Sequence, residues 1–194
     1  MSYSEDYFKD IHDALSNTVV AGADGAKLEV DEALRAFSSR IKAVQDSEGL
    51  VFFCGNGASC TMAEHMSHDF FQHAIVNTAT CSETAHLTAI SNDVDFEHVF
   101  AFRIKRVLSE KDILVTISSS GNSPNVIEAI KAARENGSYV VTFSGKGADN
   151  KSRQMGDMNF YVPLATYGMV ESAHAVLLHA CLDRFLDDYM GGRH

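Results

Sequence analysis

Residues 112–124 read Asp112-Ile113-Leu114-Val115-Thr116-Ile117-Ser118-Ser119-Ser120-Gly121-Asn122-Ser123-Pro124. A run of apolar and β-branched residues ends in small hydroxyls, one glycine and a proline. A short apolar run without polar alternation predicts a strand buried on both faces. Ser123 followed by Pro124 is a helix start, with serine as N-cap and proline at the first helical position. The stretch therefore reads strand, loop, helix. The free N–H groups of the new helix point back at the serines, an arrangement that holds an anion without a lysine.

The same pattern recurs outward along the chain. Residues 49–54 form an apolar run ending in Gly55-Asn56-Gly57-Ala58-Ser59, and 138–143 form another ending in Ser144-Gly145-Lys146-Gly147. A fourth run covers 159–162 and stops at Pro163, and 74–78 is a further candidate strand. Helical segments are expected over about 59–72, 97–109, 124–136 and 168–190. Strands alternating with helices predict an α/β fold: a three-layer, doubly wound parallel sheet. Right-handed crossovers place every post-strand loop on one edge, where ligands bind. Before the first strand, Phe8, Ile11, Leu15 and Val19 share helical spacing, as do Leu28, Val30, Leu34, Phe37, Ile41 and Val44. Residues 1–46 are thus read as a two-helix extension of a single domain spanning 1–194, suited to packing between subunits.

Composition narrows the function. With 16 basic and 26 acidic side chains the net charge is −10. That balance, with no long Lys/Arg run, argues against nucleic acid and anionic membranes as partners. No apolar run reaches the roughly 20 residues of a membrane span. Cys54, Cys60, Cys81 and Cys181 form no CxxC pair. Free thiols and an opening without a basic n-region predict a cytoplasmic protein. Gly55-Asn56-Gly57-Ala58-Ser59 lacks the Gly-Lys-Ser/Thr of a P-loop, and Cys60 stands where GxGxxG needs its third glycine. Nucleotide motifs are therefore set aside in favour of a phosphate ester held by hydroxyls and backbone amides.

Three stretches carry a family resemblance: residues 54–65 (Cys-Gly-Asn-Gly-Ala-Ser-Cys-Thr-Met-Ala-Glu-His), 87–93 (Leu-Thr-Ala-Ile-Ser-Asn-Asp) and 117–127 (Ile-Ser-Ser-Ser-Gly-Asn-Ser-Pro-Asn-Val-Ile). A fourth match is Glu171-Ser172-Ala173-His174, with His179 beyond it. The chain resembles sugar isomerase (SIS) domains, and more narrowly the phosphoheptose isomerase family, over nearly its whole length. The resemblance implies a flavodoxin-like sheet and a homotetramer with sites between subunits. It implies isomerisation of sedoheptulose 7-phosphate to D-glycero-D-manno-heptose 7-phosphate, a step toward lipopolysaccharide or capsule heptose. It implies a zinc ion on His65, Asp69, Glu171 and His179. It also implies sugar-phosphate contacts at Asn56, Gly57, Ala58, Ser59, Asp69, Asn92, Asp93, Ser118, Ser119, Ser120, Ser123 and Glu171. Asp69 and His179 are the expected proton-transfer pair, as base and acid or the reverse.

Spacing agrees with the implied ligand set. His65 and Asp69 are i, i+4 on one helix face. Glu171 and His179, eight residues apart, lie within about 80° of each other around a helix. His68 and His174 are close enough in sequence to be alternative ligands. This chain departs from the family pattern at Asp69 (usually glutamate), Glu171 (usually glutamine), His73 (usually arginine) and Gly168-Met169 (usually Asp-Arg). Those departures admit two other readings. One is an isomerase or sensor for a different sugar phosphate. The other is a non-catalytic SIS protein of the type that assists a replication initiator, which lacks the histidine kept here at 179.

Overall fold

The structure is a computed structural model that describes residues 2–192. The five expected strands are present as Leu50–Gly55 (β3), Asn77–Ala79 (β4), Ile113–Ser118 (β5), Tyr139–Gly145 (β6) and Met158–Val162 (β7). All five run parallel, in the order β4-β3-β5-β6-β7. Numbered within this parallel core the order is 2-1-3-4-5, the flavodoxin-like arrangement.

Helices Ala58–His73 (α3), Pro124–Glu135 (α6) and Tyr167–Tyr189 (α7) also fall where the periodicity predicts them. The remaining crossover is more broken than the single helix expected over 97–109. It comprises Thr84–Asp93 (α4), a 3₁₀ turn at Phe96–His98 and Ala101–Val107 (α5). Asp95 caps the 3₁₀ turn by accepting from the His98 N–H at 2.9 Å, which interrupts the helical run. α4 has no counterpart among the expected helices, because its apolar content is too sparse to show a stripe.

Strand residues alternate between two apolar layers. Val51, Phe53, Val115, Ile117, Val141 and Phe143 pack against α3 and α7, together with Phe37 and Ile41 of Val30–Asp46 (α2). Phe52, Cys54, Leu114 and Val140 pack against Ile90, Ile104, Val126 and Ile130 on the opposite face. Burial on both faces is why the strands read as unbroken apolar runs.

The leading segment corrects the two-helix reading. Tyr3–Ser16 (α1) and α2 are helices, but a hairpin of Val19–Gly22 (β1) and Lys27–Leu28 (β2) lies between them. β1 pairs antiparallel with β7, extending the sheet to seven strands. Val19 and Leu28, which spacing places on helical stripes, are therefore strand residues. Gly25, at φ +78°, helps turn the chain back between them, and β-branched Val19-Val20 suits a strand. α1 starts with a capping box between Ser2 and Glu5. α2 packs on α7 within the same chain, and Ser38 donates to Asp188 at 2.9 Å. α1 leaves Tyr3 and Phe8 exposed. Among the described residues no helix is long and apolar enough to cross a membrane.

Candidate active site

After β3 the chain crosses to β4 on one side, then returns to β5 on the other. β3 and β5 are therefore adjacent, with Gly55 opposite Ile117. Their outgoing loops leave the same edge and feed helices on opposite faces, which opens a crevice between them. Close approach is enforced at Gly55, where a Cβ would stand 2.7 Å from the Ile117 carbonyl oxygen. Gly57 holds φ +57° and ψ −126°, a conformation suited to glycine, so that α3 can begin at once. The two loops are clasped by a reciprocal amide pair. Asn56 Nδ2 donates to Asn125 Oδ1 at 2.8 Å, and Asn125 Nδ2 donates to Asn56 Oδ1 at 2.9 Å.

The serine loop is braced from outside. Gly121, at φ +62°, lies so close to Asn150 that a Cβ there would be 2.0 Å from Oδ1. The Ser152 N–H donates to the Gly121 carbonyl at 2.9 Å, and the Lys151 N–H to Asn122 Oδ1 at 3.0 Å. Within the loop, the Gly121 N–H donates to Ser118 Oγ at 3.2 Å. Ser123 occupies the N-cap of α6, but its hydroxyl makes no capping bond. Ser119 is buried, and its Oγ has no partner. An unpaired buried hydroxyl costs stability, so a loop that keeps one free is arranged for something other than its own stability.

These residues line a cleft of about 110 Å³, shared by Asn56, Ser59, Ser118, Ser119, Ser120, Ser123, Tyr167 and Glu171. Larger hollows lie elsewhere, one of about 290 Å³ against Arg40, Arg134 and Tyr139. Tyr139 opens β6, so that hollow sits at the opposite edge of the sheet. Size is a poor guide here, because a phosphate group needs convergent donors rather than volume. Thiolate chemistry beside the cleft is disfavoured. Burial pushes the Cys54 thiol far up and the Cys81 thiol up to about 12.

A second constellation joins α3 to α7. Donor atoms of His65, Asp69 and His179 all lie within 4.8 Å of one another. His65 Nε2 is 3.2 Å and His179 Nε2 3.9 Å from the same Asp69 oxygen, Oδ2. His179 Nδ1 is 2.7 Å from the Ala175 carbonyl. A carbonyl only accepts, so Nδ1 carries a proton, and Nε2 is the ring nitrogen turned toward the carboxylate. Either a proton on Nε2 or a metal cation between the two would satisfy both atoms. Donors on a tetrahedral zinc, with bonds of about 2.0–2.1 Å, stand about 3.3 Å apart. The three residues fit such an ion with small adjustments, and the Ala175 bond is the usual device for orienting a ligating histidine.

The SIS domain family model matches residues 6–145. A phosphoheptose isomerase of Desulfovibrio desulfuricans is 37% identical over 150 residues, covering 71% of each chain. That of Neisseria gonorrhoeae is 30% identical over 182 residues, covering 88% of this chain and 92% of the relative. The chain belongs to the phosphoheptose isomerase family of SIS domains. The solved phosphoheptose isomerase structure from Neisseria gonorrhoeae superposes with a TM-score of 0.79 at 28% identity, over 94% of this chain and 97% of that one. The Francisella tularensis enzyme shares the fold, with a TM-score of 0.80 at 22% identity, over 95% and 98%. Membership makes this chain a sugar-phosphate isomerase and leaves a non-catalytic binding role unfavoured.

Against the phosphoheptose isomerase pattern, the expected residues sort into four places. Asn56, Ser59, Ser118, Ser119, Ser120, Ser123 and Glu171 share the serine cleft. Gly57 and Ala58 are exposed at the start of α3. His65, Asp69 and His179 form the second group, of which Glu171 is not a member. Asn92 and Asp93 end α4, bonded to each other at 2.9 Å, and do not line the cleft. His68 is exposed and outside the group. His174 is buried in the core, with Nε2 at 3.1 Å from the Ser144 carbonyl, which excludes it as an alternative ligand. Tyr167 is a lining residue that sequence reasoning misses. Its place just ahead of Glu171 at the start of α7 is the available signal.

Proposed function

We propose that the protein interconverts sedoheptulose 7-phosphate and D-glycero-D-manno-heptose 7-phosphate. The observation that supports this most is the placement of two sites along α7. Glu171 faces the serine cleft, and His179, eight residues later, belongs to the His/Asp group. Eight residues of helix span about 12 Å. That separation suits a seven-carbon sugar whose terminal phosphate and reacting carbons lie at opposite ends. The serine loop and the N-terminus of α6 take the phosphate. Glu171 and Tyr167 meet the sugar hydroxyls nearest to it.

Aldose–ketose isomerisation moves one proton between C1 and C2 through an enediol. Asp69, part-buried between two imidazoles, takes the carbon-bound proton. His179 exchanges protons with the sugar oxygens through Nε2, the nitrogen left free by the Ala175 bond, and does so only when that nitrogen is not ligating a metal. His65, Asp69 and His179 would hold a zinc ion, which supplies polarisation of the carbonyl when bound. Asn92 and Asp93 are assigned to a site completed by a second subunit, in a cytoplasmic homotetramer. Asp69→Ala and His179→Ala should each lower turnover of the heptulose phosphate by about 10²–10⁴-fold and leave phosphate-ester binding in place. Full activity in both variants, or turnover of pentulose or hexulose phosphates alone, refutes the reading.

A further inference from the structure

The serine cleft has no cation in its lining, and its one carboxylate is Glu171. Glu171 repels a phosphate dianion entering beside it, so an opposite charge close at hand strengthens binding. The structure holds one in reserve. Lys146 is the first residue after β6, at the same sheet edge as the serine loop. Its Nζ lies over the Tyr167 ring, 3.7 Å from the centroid, and Tyr167 lines the cleft. Among the described residues Lys146 has no carboxylate within ion-pair distance, so its charge is committed only to that ring.

The backbone is built to put it there. Lys146 holds φ +58°, in the left-handed region that side-chain-bearing residues seldom occupy. Its carbonyl accepts from Tyr161 OH at 2.8 Å, which fixes the peptide plane. The residues that follow are tied to the serine loop through Ser152, Lys151 and Asn150. A glycine would sit in this conformation without strain, yet lysine is present. Retained strain of this kind is characteristic of functional positions.

We propose that Lys146 is the cation of the phosphate site, parked on Tyr167 until a phosphate ester enters and then paired with it. A cation–π contact on a half-exposed ring is weak enough to be exchanged for a charge-assisted bond to phosphate. The inference rests on the reading of the serine cleft as the phosphate subsite. It adds a residue that neither the serine motif nor the His/Asp group identifies.

Calorimetry with inorganic phosphate and with sedoheptulose 7-phosphate tests it on the full-length chain. Lys146→Met keeps the aliphatic stem and removes the charge; Lys146→Arg keeps the charge. The Met variant should bind both probes about 10- to 100-fold more weakly, and Arg should recover most of the loss. In turnover assays the Met variant should raise KM with kcat little changed, because the phosphate end is remote from the reacting carbons. A merely structural lysine would not produce that split. Equal affinity in the parent and Met variants overturns the Lys146 assignment and leaves the cleft reading standing. No binding of either probe by the parent chain overturns both.

Discussion

Ser119→Ala separates a loop built for a ligand from one built for the fold. Ser119 is 5% exposed, and its hydroxyl has no hydrogen-bond partner. An unsatisfied buried hydroxyl costs about 1–3 kcal/mol. Removing it should therefore leave the folding free energy unchanged or raise it by up to that amount. Urea denaturation would show this as an equal or higher midpoint with the slope unchanged. Ligand affinity should move the opposite way. A hydrogen bond to a charged phosphate oxygen is worth about 1.5–3 kcal/mol, so the Kd for a phosphate ester should rise about 10- to 150-fold. Ser118→Ala is the control. Its hydroxyl already accepts the Gly121 N–H at 3.2 Å, so its loss should cost about 0.5–1.5 kcal/mol of stability. A Ser119→Ala protein that is less stable than its parent and binds phosphate esters equally well would show that the hydroxyl serves the fold, and the reasoning would fail.

Gly121→Ala meets both a positive φ and Asn150 Oδ1 at 2.0 Å from the new Cβ. It should cost about 2–4 kcal/mol by denaturation and abolish phosphate binding, since Asn150 must leave its contacts with Gly145 and Gly147. His174 supplies a pH dependence. Burial pushes its imidazole from 6.5 down to about 4, the bond to the Ser144 carbonyl opposing the shift. The unfolded chain thus binds this proton more readily, so the stability contribution is complete above about pH 6.5 and is lost as pH falls toward 4. The loss amounts to about 3 kcal/mol. Denaturation midpoints measured between pH 4 and 7 should show that slope, and His174→Leu should flatten it.

Much of the site is legible in the amino-acid sequence. The serine loop and the Gly55–Ser59 turn follow apolar runs and precede helices, and that local order is enough to place them at one sheet edge. His65 and Asp69 can be paired because helical spacing relates i to i+4. Their meeting with His179 is implied by family resemblance, not by spacing, because the residues belong to different helices. Glu171 shows the limit of that route. It lies on the same helix as His179 but lines the serine cleft instead of joining the His/Asp group.

Most strands and helices, and the loops that carry hydroxyls, can be located from residue order alone, because periodicity records the faces that must leave water. Periodicity does not record the partner against which each face is buried. Tertiary structure alone decided that β3 and β5 are neighbours, and so that Asn56 clasps Asn125 across 69 residues. It also added the β1–β2 hairpin to the sheet edge, where pairing with β7 outweighed a helical stripe. Lys146 reached Tyr167 in the same way. A contact between the end of a strand and the start of a distant helix exists only once the chain is packed.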